Sequence, residues 1–224
     1  MLDKPGLPYS AARLTAEYSL LNLEPLARML EAQGLTESIK SVASIHRQAW
    51  DRKADLGTAV HTLSEVWLRG REIHPTDTER PYLLGLARFV ADFRPRPLAL
   101  EAMVAFEDEV GLAYAGTLDM VAELEGRGRW LLDIKTGAHL YDEIALQLAA
   151  YGYASWMGRP GDTTRHPIPE VEHYGVIWLR PELEGGYSLI PYQVGPAEWR
   201  AFMAELEVWA WAKTKRPKRE RLNP

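Results

Sequence analysis

The chain of 224 residues contains no cysteine. That single absence excludes disulfides, thiolate zinc sites, iron–sulfur clusters and a cysteine nucleophile, so any metal must be held by oxygen and imidazole. There is also no apolar run long enough to span a bilayer. Asp3, Pro5 and Pro8 stand where a secretory signal would be basic and then greasy, so the expected location is the cytoplasm, with no membrane partner. A phosphate-binding GxxxxGK loop is missing as well, which leaves ATP-driven unwinding to a partner. With 46% hydrophobic and 25% charged residues, the chain suits one globular domain, expected over residues 1–212 with a helical N-terminal part.

The net charge of −5 is unevenly spread. Residues 213–224 set Lys213, Lys215, Arg216, Lys218, Arg219 and Arg221 against Glu220, a tail of +5 on a body of −10. Such a tail is either a DNA-attracting segment or a solvated terminus without function. The acidic body argues mildly against nucleic-acid binding, although a local patch matters more than the sum, and metal-binding carboxylates contribute to the count.

The most informative stretch is GLAYAGTLDMVAELEGRGRWLLDIKTG, residues 111–137. Ala115–Leu124 and Arg129–Lys135 are apolar and partly alternating, and Glu125-Gly126-Arg127-Gly128 between them is turn chemistry, so the stretch predicts a β-hairpin. Period-two alternation puts Asp119 on the face of Thr117 and Val121, where a core packer is not required. The other face is continuously apolar, with Leu118, Met120, Ala122 and Leu124. Asp133 and Lys135, two apart, leave the same face of the second strand. Two carboxylates on neighbouring strands beside a lysine can bind a hard divalent cation and stabilise negative charge developing at a scissile group. A DxK triplet also arises by chance, so context has to decide.

Residues 1–53 read as helical, with Pro25 in a first turn and Gly34 as a stop. A helix from about Asp55, its expected cap, to Leu68 puts His61 and Glu65 on one face; His61 is either a ligand or an ordinary structural histidine. Thr78 and Pro81 announce a packing helix lined by Tyr82, Leu86, Phe89 and Phe93. Leu98–Glu109 alternates as a strand, and its Glu101 either lies beside Asp119 or is a solvated edge residue. A helix is expected from about Tyr141 to Met157, with Gln147 and Tyr151 four apart. Those two either serve the site or pack and hydrogen-bond locally. Strands at Val171–Leu179 and Tyr187–Val194 and a helix at Ala197–Trp211 complete an α/β fold, a mixed central β-sheet flanked by helices.

GTAVH ending in His61, Glu101, GTLD ending in Asp119, DIKTG with Asp133 and Lys135, and Gln147-x-x-x-Tyr151 occur in one order. This set resembles the PD-(D/E)XK nuclease superfamily, in particular its RecB-like and phage-type exonucleases, over about residues 40–155. The resemblance implies a restriction-endonuclease-like core and a Mg2+- or Mn2+-dependent deoxyribonuclease acting on linear single- or double-stranded DNA ends. It places the protein in phage or prokaryotic recombination, repair or replication, alongside a recombination or helicase partner. It implies that Asp119 and Asp133 ligate the metal, joined by the carbonyl of Ile134, and that His61 adds the ligand characteristic of the exonuclease branch. Lys135 would orient the attacking water and stabilise the transition state, Gln147 and Tyr151 would support the site and contact DNA, and Glu101 would be the early acidic residue. CRISPR-associated relatives carry iron–sulfur cysteines that this chain lacks, so no such cluster is expected. An endonuclease and a non-catalytic DNA-end binder are the alternatives; a glycosidase would have no need of Lys135 beside Asp133.

Overall fold

A computed structural model describes residues 15–158 and 164–214. Residues 1–14 of the expected helical N-terminal part and 215–224 of the basic tail lie outside the described residues, as do 159–163. The chain divides into two compact units, residues 1–58 and 59–224.

In the first unit, α1 (Leu23–Ala43) carries Pro25 in its first turn and breaks at Gly34, whose φ of 77° and ψ of 170° are not helical. The expected stop is therefore a kink, because Gly tolerates that conformation and the helical pattern resumes after it. The next helix, α2 (Ile45–Leu68), runs straight through Asp55, so that residue is interior and caps nothing. The division between the units falls within α2, after Thr58.

The second unit is built on six strands in the order β4-β1-β2-β3-β5-β6. These are β1 (Arg96–Glu107), β2 (Ala113–Leu124), β3 (Gly128–Lys135), β4 (Trp156–Gly158), β5 (His173–Leu179) and β6 (Tyr187–Tyr192). All neighbours are antiparallel except β3 and β5, which makes the sheet mixed, as expected. The helices are α3 (Arg80–Phe93), α4 (Ile144–Gly152) and α5 (Pro196–Thr214). Gly126 and Gly128 have φ of 67° and 74°, the left-handed values a tight β2–β3 connection demands.

Both faces of the hairpin are buried. Leu118, Met120, Ala122, Leu124 and Leu132 are fully inaccessible, but so are Val121 and Leu131 on the face of Asp119 and Asp133. That face is not the wet one that alternation suggested: Ile144 and Leu148 of α4 join its Val121 and Leu131, with Val176 of the neighbouring β5, in one buried cluster. α3 lies along β5 and β6, with Phe89 edge-on to Tyr187 at 5.7 Å.

The expected helix from Tyr141 to Met157 is shorter in fact. It ends at Gly152, where a Cβ would come within 2.5 Å of the Tyr174 hydroxyl, and Trp156–Gly158 instead adds an edge strand to β1. Periodicity misses this because the short, largely apolar stretch Ala154–Met157 fits a strand as well as a helix.

Candidate metal centre

Strand register assembles the acids. Leu100 pairs with Met120 and Ala102 with Leu118, so Glu101 of β1 lies opposite Asp119 of β2. Met120 pairs with Leu132, and one step further along the same register Asp119 meets Asp133 of β3. Three carboxylates thus stand in one row across three strands. Like charges directly opposite one another on a sheet are destabilising, so the row requires cationic company.

α2 and the end of β3 supply it. His61 Nδ1 lies 3.4 Å from Asp119 Oδ2, and the Ile134 backbone N–H donates to the same oxygen at 2.6 Å. His61, Glu101 and Asp119 each offer one ligand atom, all within 4.8 Å of one another. Asp133 stands apart from that trio: its side chain, 2% exposed, has Lys135 Nζ 2.6 Å from Oδ2 and accepts from Gln147 Nε2 at Oδ1, 3.3 Å away. Lys135 also donates to Gln147 Oε1 at 3.2 Å, and Gln147 Nε2 donates to the Tyr151 hydroxyl at 2.8 Å. The four-residue spacing on α4 therefore builds a polar relay under the acids. Gly116, in the same GTLD segment as Asp119, leaves room for the Tyr151 ring, which a Cβ would approach to 2.9 Å.

The ionisation equilibria register the crowding. Burial first, then the charge of Asp119, pushes the Glu101 carboxyl up to about 7. Asp133 is raised by burial and by Asp119, against the opposing pull of Lys135. For His61, burial is the largest influence and lowers the pKa, but the hydrogen bond and charge of Asp119, with Asp133, outweigh it and leave the imidazole raised. Burial also pushes the Tyr151 hydroxyl up to about 12, so it is neutral and can accept from Gln147.

A divalent cation fits these residues. Asp133 Oδ2 is sealed from solvent and its close partner is the Lys135 ammonium at 2.6 Å, out of hydrogen-bond alignment, so lone pairs of this buried carboxylate remain open to a cation. Oxygen donors with one imidazole suit a hard divalent cation.

Of the eight sequence-derived positions, His61, Glu101 and Asp119 converge as possible ligands, while Asp133, Lys135, Gln147 and Tyr151 form the adjoining relay. Ile134 enters through its N–H. Sequence reading missed Trp178 and Arg180, which fix the loop after Lys135: Trp178 Nε1 donates to the Gly137 carbonyl at 2.8 Å and Arg180 Nη1 to that of Ala138 at 2.6 Å. Their signal was faint, since Trp178 is recognisable as a neighbour of Lys135 only once β3 and β5 are known to be parallel.

Comparison with curated proteins found no match. The family model for the PD-(D/E)XK nuclease superfamily matches residues 26–181, a span that includes all eight of these positions, and this chain therefore belongs to that superfamily.

Proposed function

We propose that the chain is an exonuclease, a Mg2+- or Mn2+-dependent deoxyribonuclease that hydrolyses phosphodiester bonds from DNA ends. Membership of the superfamily suggests a metal-dependent nuclease with DNA as its substrate. The observation that carries the finer reading is the carboxylate row of Glu101, Asp119 and Asp133 with His61 on one side and Lys135 on the other. End-directed cleavage is favoured by the likeness of the ordered motifs, His61 among them, to RecB-like and phage-type exonucleases.

When bound, the cation neutralises charge on the phosphate and makes water nucleophilic at neutral pH. His61, Glu101 and Asp119 hold it in this reading, with Asp133 and the Ile134 carbonyl as further ligands. Lys135 has three N–H groups; one is donated to Gln147 Oε1 and Asp133 Oδ2 holds the ammonium as an ion-pair partner 2.6 Å away, which leaves N–H for the attacking water or a nonbridging oxygen. Gln147 fixes that ammonium through its carbonyl oxygen, and Tyr151 in turn fixes the Gln147 amide. Because the donor is set before reaction, its stabilisation falls mainly on the transition state.

The test is linear, nicked and closed circular DNA, labelled at either end, with Mg2+, Mn2+ or EDTA. End-directed loss of linear DNA that EDTA stops is the expected result. Cleavage of closed circles would make the protein an endonuclease, and retention of ends without cleavage a non-catalytic binder. Asp119→Asn should abolish Mn2+ binding in calorimetry; unchanged binding would remove Asp119 from the site.

A further inference from the structure

Glu101 has a φ of 44°, in the left-handed region that a strand residue other than glycine rarely enters. Its neighbours nevertheless stay in the ladder, Leu100 with Met120 and Ala102 with Leu118. A strained residue of this kind persists only where its surroundings hold it. One such restraint comes from α2. Arg69, the first residue beyond that helix, donates from Nη2 to the Leu100 carbonyl at 2.8 Å, and so grips the peptide that leads into Glu101. Its Nε donates to Glu65 Oε1 at 3.0 Å. Glu65 lies one turn after His61, so the helix that carries His61 also anchors the backbone of Glu101.

We propose that Arg69, oriented by Glu65, is a positioning residue that holds Glu101 in its strained conformation and keeps its carboxylate beside His61 and Asp119. The inference rests on Glu101 being a metal ligand. It follows from the mechanical problem of the site: carboxylates on adjacent strands repel, and Glu101 can relieve that repulsion by relaxing its backbone and swinging away. A guanidinium solves this because its planar fork bonds a carbonyl and a carboxylate at once, whereas an ammonium is a single point charge. Its charge acts in the same direction, since Arg69 favours the ionised form of Glu101.

Mn2+ affinity measured by calorimetry on the wild type, Arg69→Ala, Glu101→Gln and the double variant tests this. Arg69→Ala should weaken Mn2+ binding by roughly ten- to a hundredfold, the usual effect of losing a group that orients a ligand, and Glu101→Gln, which removes the ligand itself, should weaken it at least as much. The double variant should bind no more weakly than Glu101→Gln, because Arg69 acts only through Glu101; a purely structural arginine would impose its full loss again in that background. Wild-type affinity in Arg69→Ala, or an undiminished second loss in the double variant, overturns the proposal. Should Arg69→Ala fail to fold, Arg69→Lys carries the same cycle and is expected to bind weakly, since it keeps the charge without the fork. Wild-type affinity in Glu101→Gln would instead sink the ligand reading, a result distinguishable from failure of the Arg69 inference alone.

Discussion

Near the turn of the hairpin, Glu123 pairs with Arg96 across the β1–β2 ladder, Glu125 meets Arg94 at 3.0 Å, and Glu172 lies 3.8 Å from Arg129. Further along the same three strands, Glu101, Asp119 and Asp133 face one another instead, with His61 and Lys135 at the flanks. At the first end each acid is exposed and has its own arginine, and such surface pairs contribute about 0–1 kcal/mol. At the second end burial and like charge combine, and the Glu101 and Asp133 carboxyl pKa values rise. A protein selected for stability alone would exchange the second arrangement for the first. Keeping acids together where they repel marks the place where binding energy from a cation is to be recovered.

The largest expected effect is at Lys135. Replacing it with Ala, or with Met to keep the stem's packing, should lower turnover on linear DNA by about two orders of magnitude or more, the scale of one preorganised charge-stabilising donor, while DNA affinity stays near wild type. Single-turnover cleavage at saturating Mn2+ measures this, and near wild-type turnover would reduce the acidic row to a binding surface.

A second effect separates the two ends by pH. His61, Glu101 and Asp133 all have raised pKa values in the folded protein. Each therefore holds its proton more tightly folded than unfolded, so its stabilising contribution is complete below the ordinary value and is lost as pH rises through the raised one. For Glu101 that window runs from 4.5 to about 7. In EDTA the melting temperature should carry a component that declines across this window, and Glu101→Gln should flatten it. Saturating Mn2+ should counteract it. Equal pH slopes with and without Mn2+ would show that the row does not couple to the metal.

Glu101→Gly should raise the stability of the metal-free protein by about 1 kcal/mol, since glycine accepts positive φ and the repelling charge is gone. The same variant should lose the stabilisation that Mn2+ confers. Denaturant titration with and without Mn2+ reads both, and a destabilised metal-free variant would mean that the backbone at Glu101 is not under strain.

Smallest of all, Arg96→Ala at the hairpin's paired end should change stability by less than about 0.5 kcal/mol, with no effect on Mn2+ affinity. A larger loss in chemical denaturation would erase the contrast between the ends.

Much of this molecule could be read from residue order alone, because local chemistry decides those parts. Turn glycines at 126 and 128 announce the hairpin, period two puts Asp133 and Lys135 on one face, and the four-residue spacing of Gln147 and Tyr151 makes them neighbours on any helix. The ordered motifs were enough to suggest the superfamily that the family model identifies. Tertiary structure alone decided what depends on register and on packing between distant segments. Whether Glu101 was an edge residue or a member of the acid row depended on the β1–β2 register, which shifts between Pro97 and Ala99. The burial of the Asp119 face required α4 to fold back over the sheet, and the end of α4 packs so closely on Tyr174 that Gly152 has no room for a Cβ. Most of all, the separation of His61, Glu101 and Asp119 from Asp133 was invisible in the order of residues. All four carboxyl and imidazole groups suit a cation, but only the fold brings Gln147 against Asp133 and Lys135, and it is that local competition for lone pairs that sets Asp133 apart.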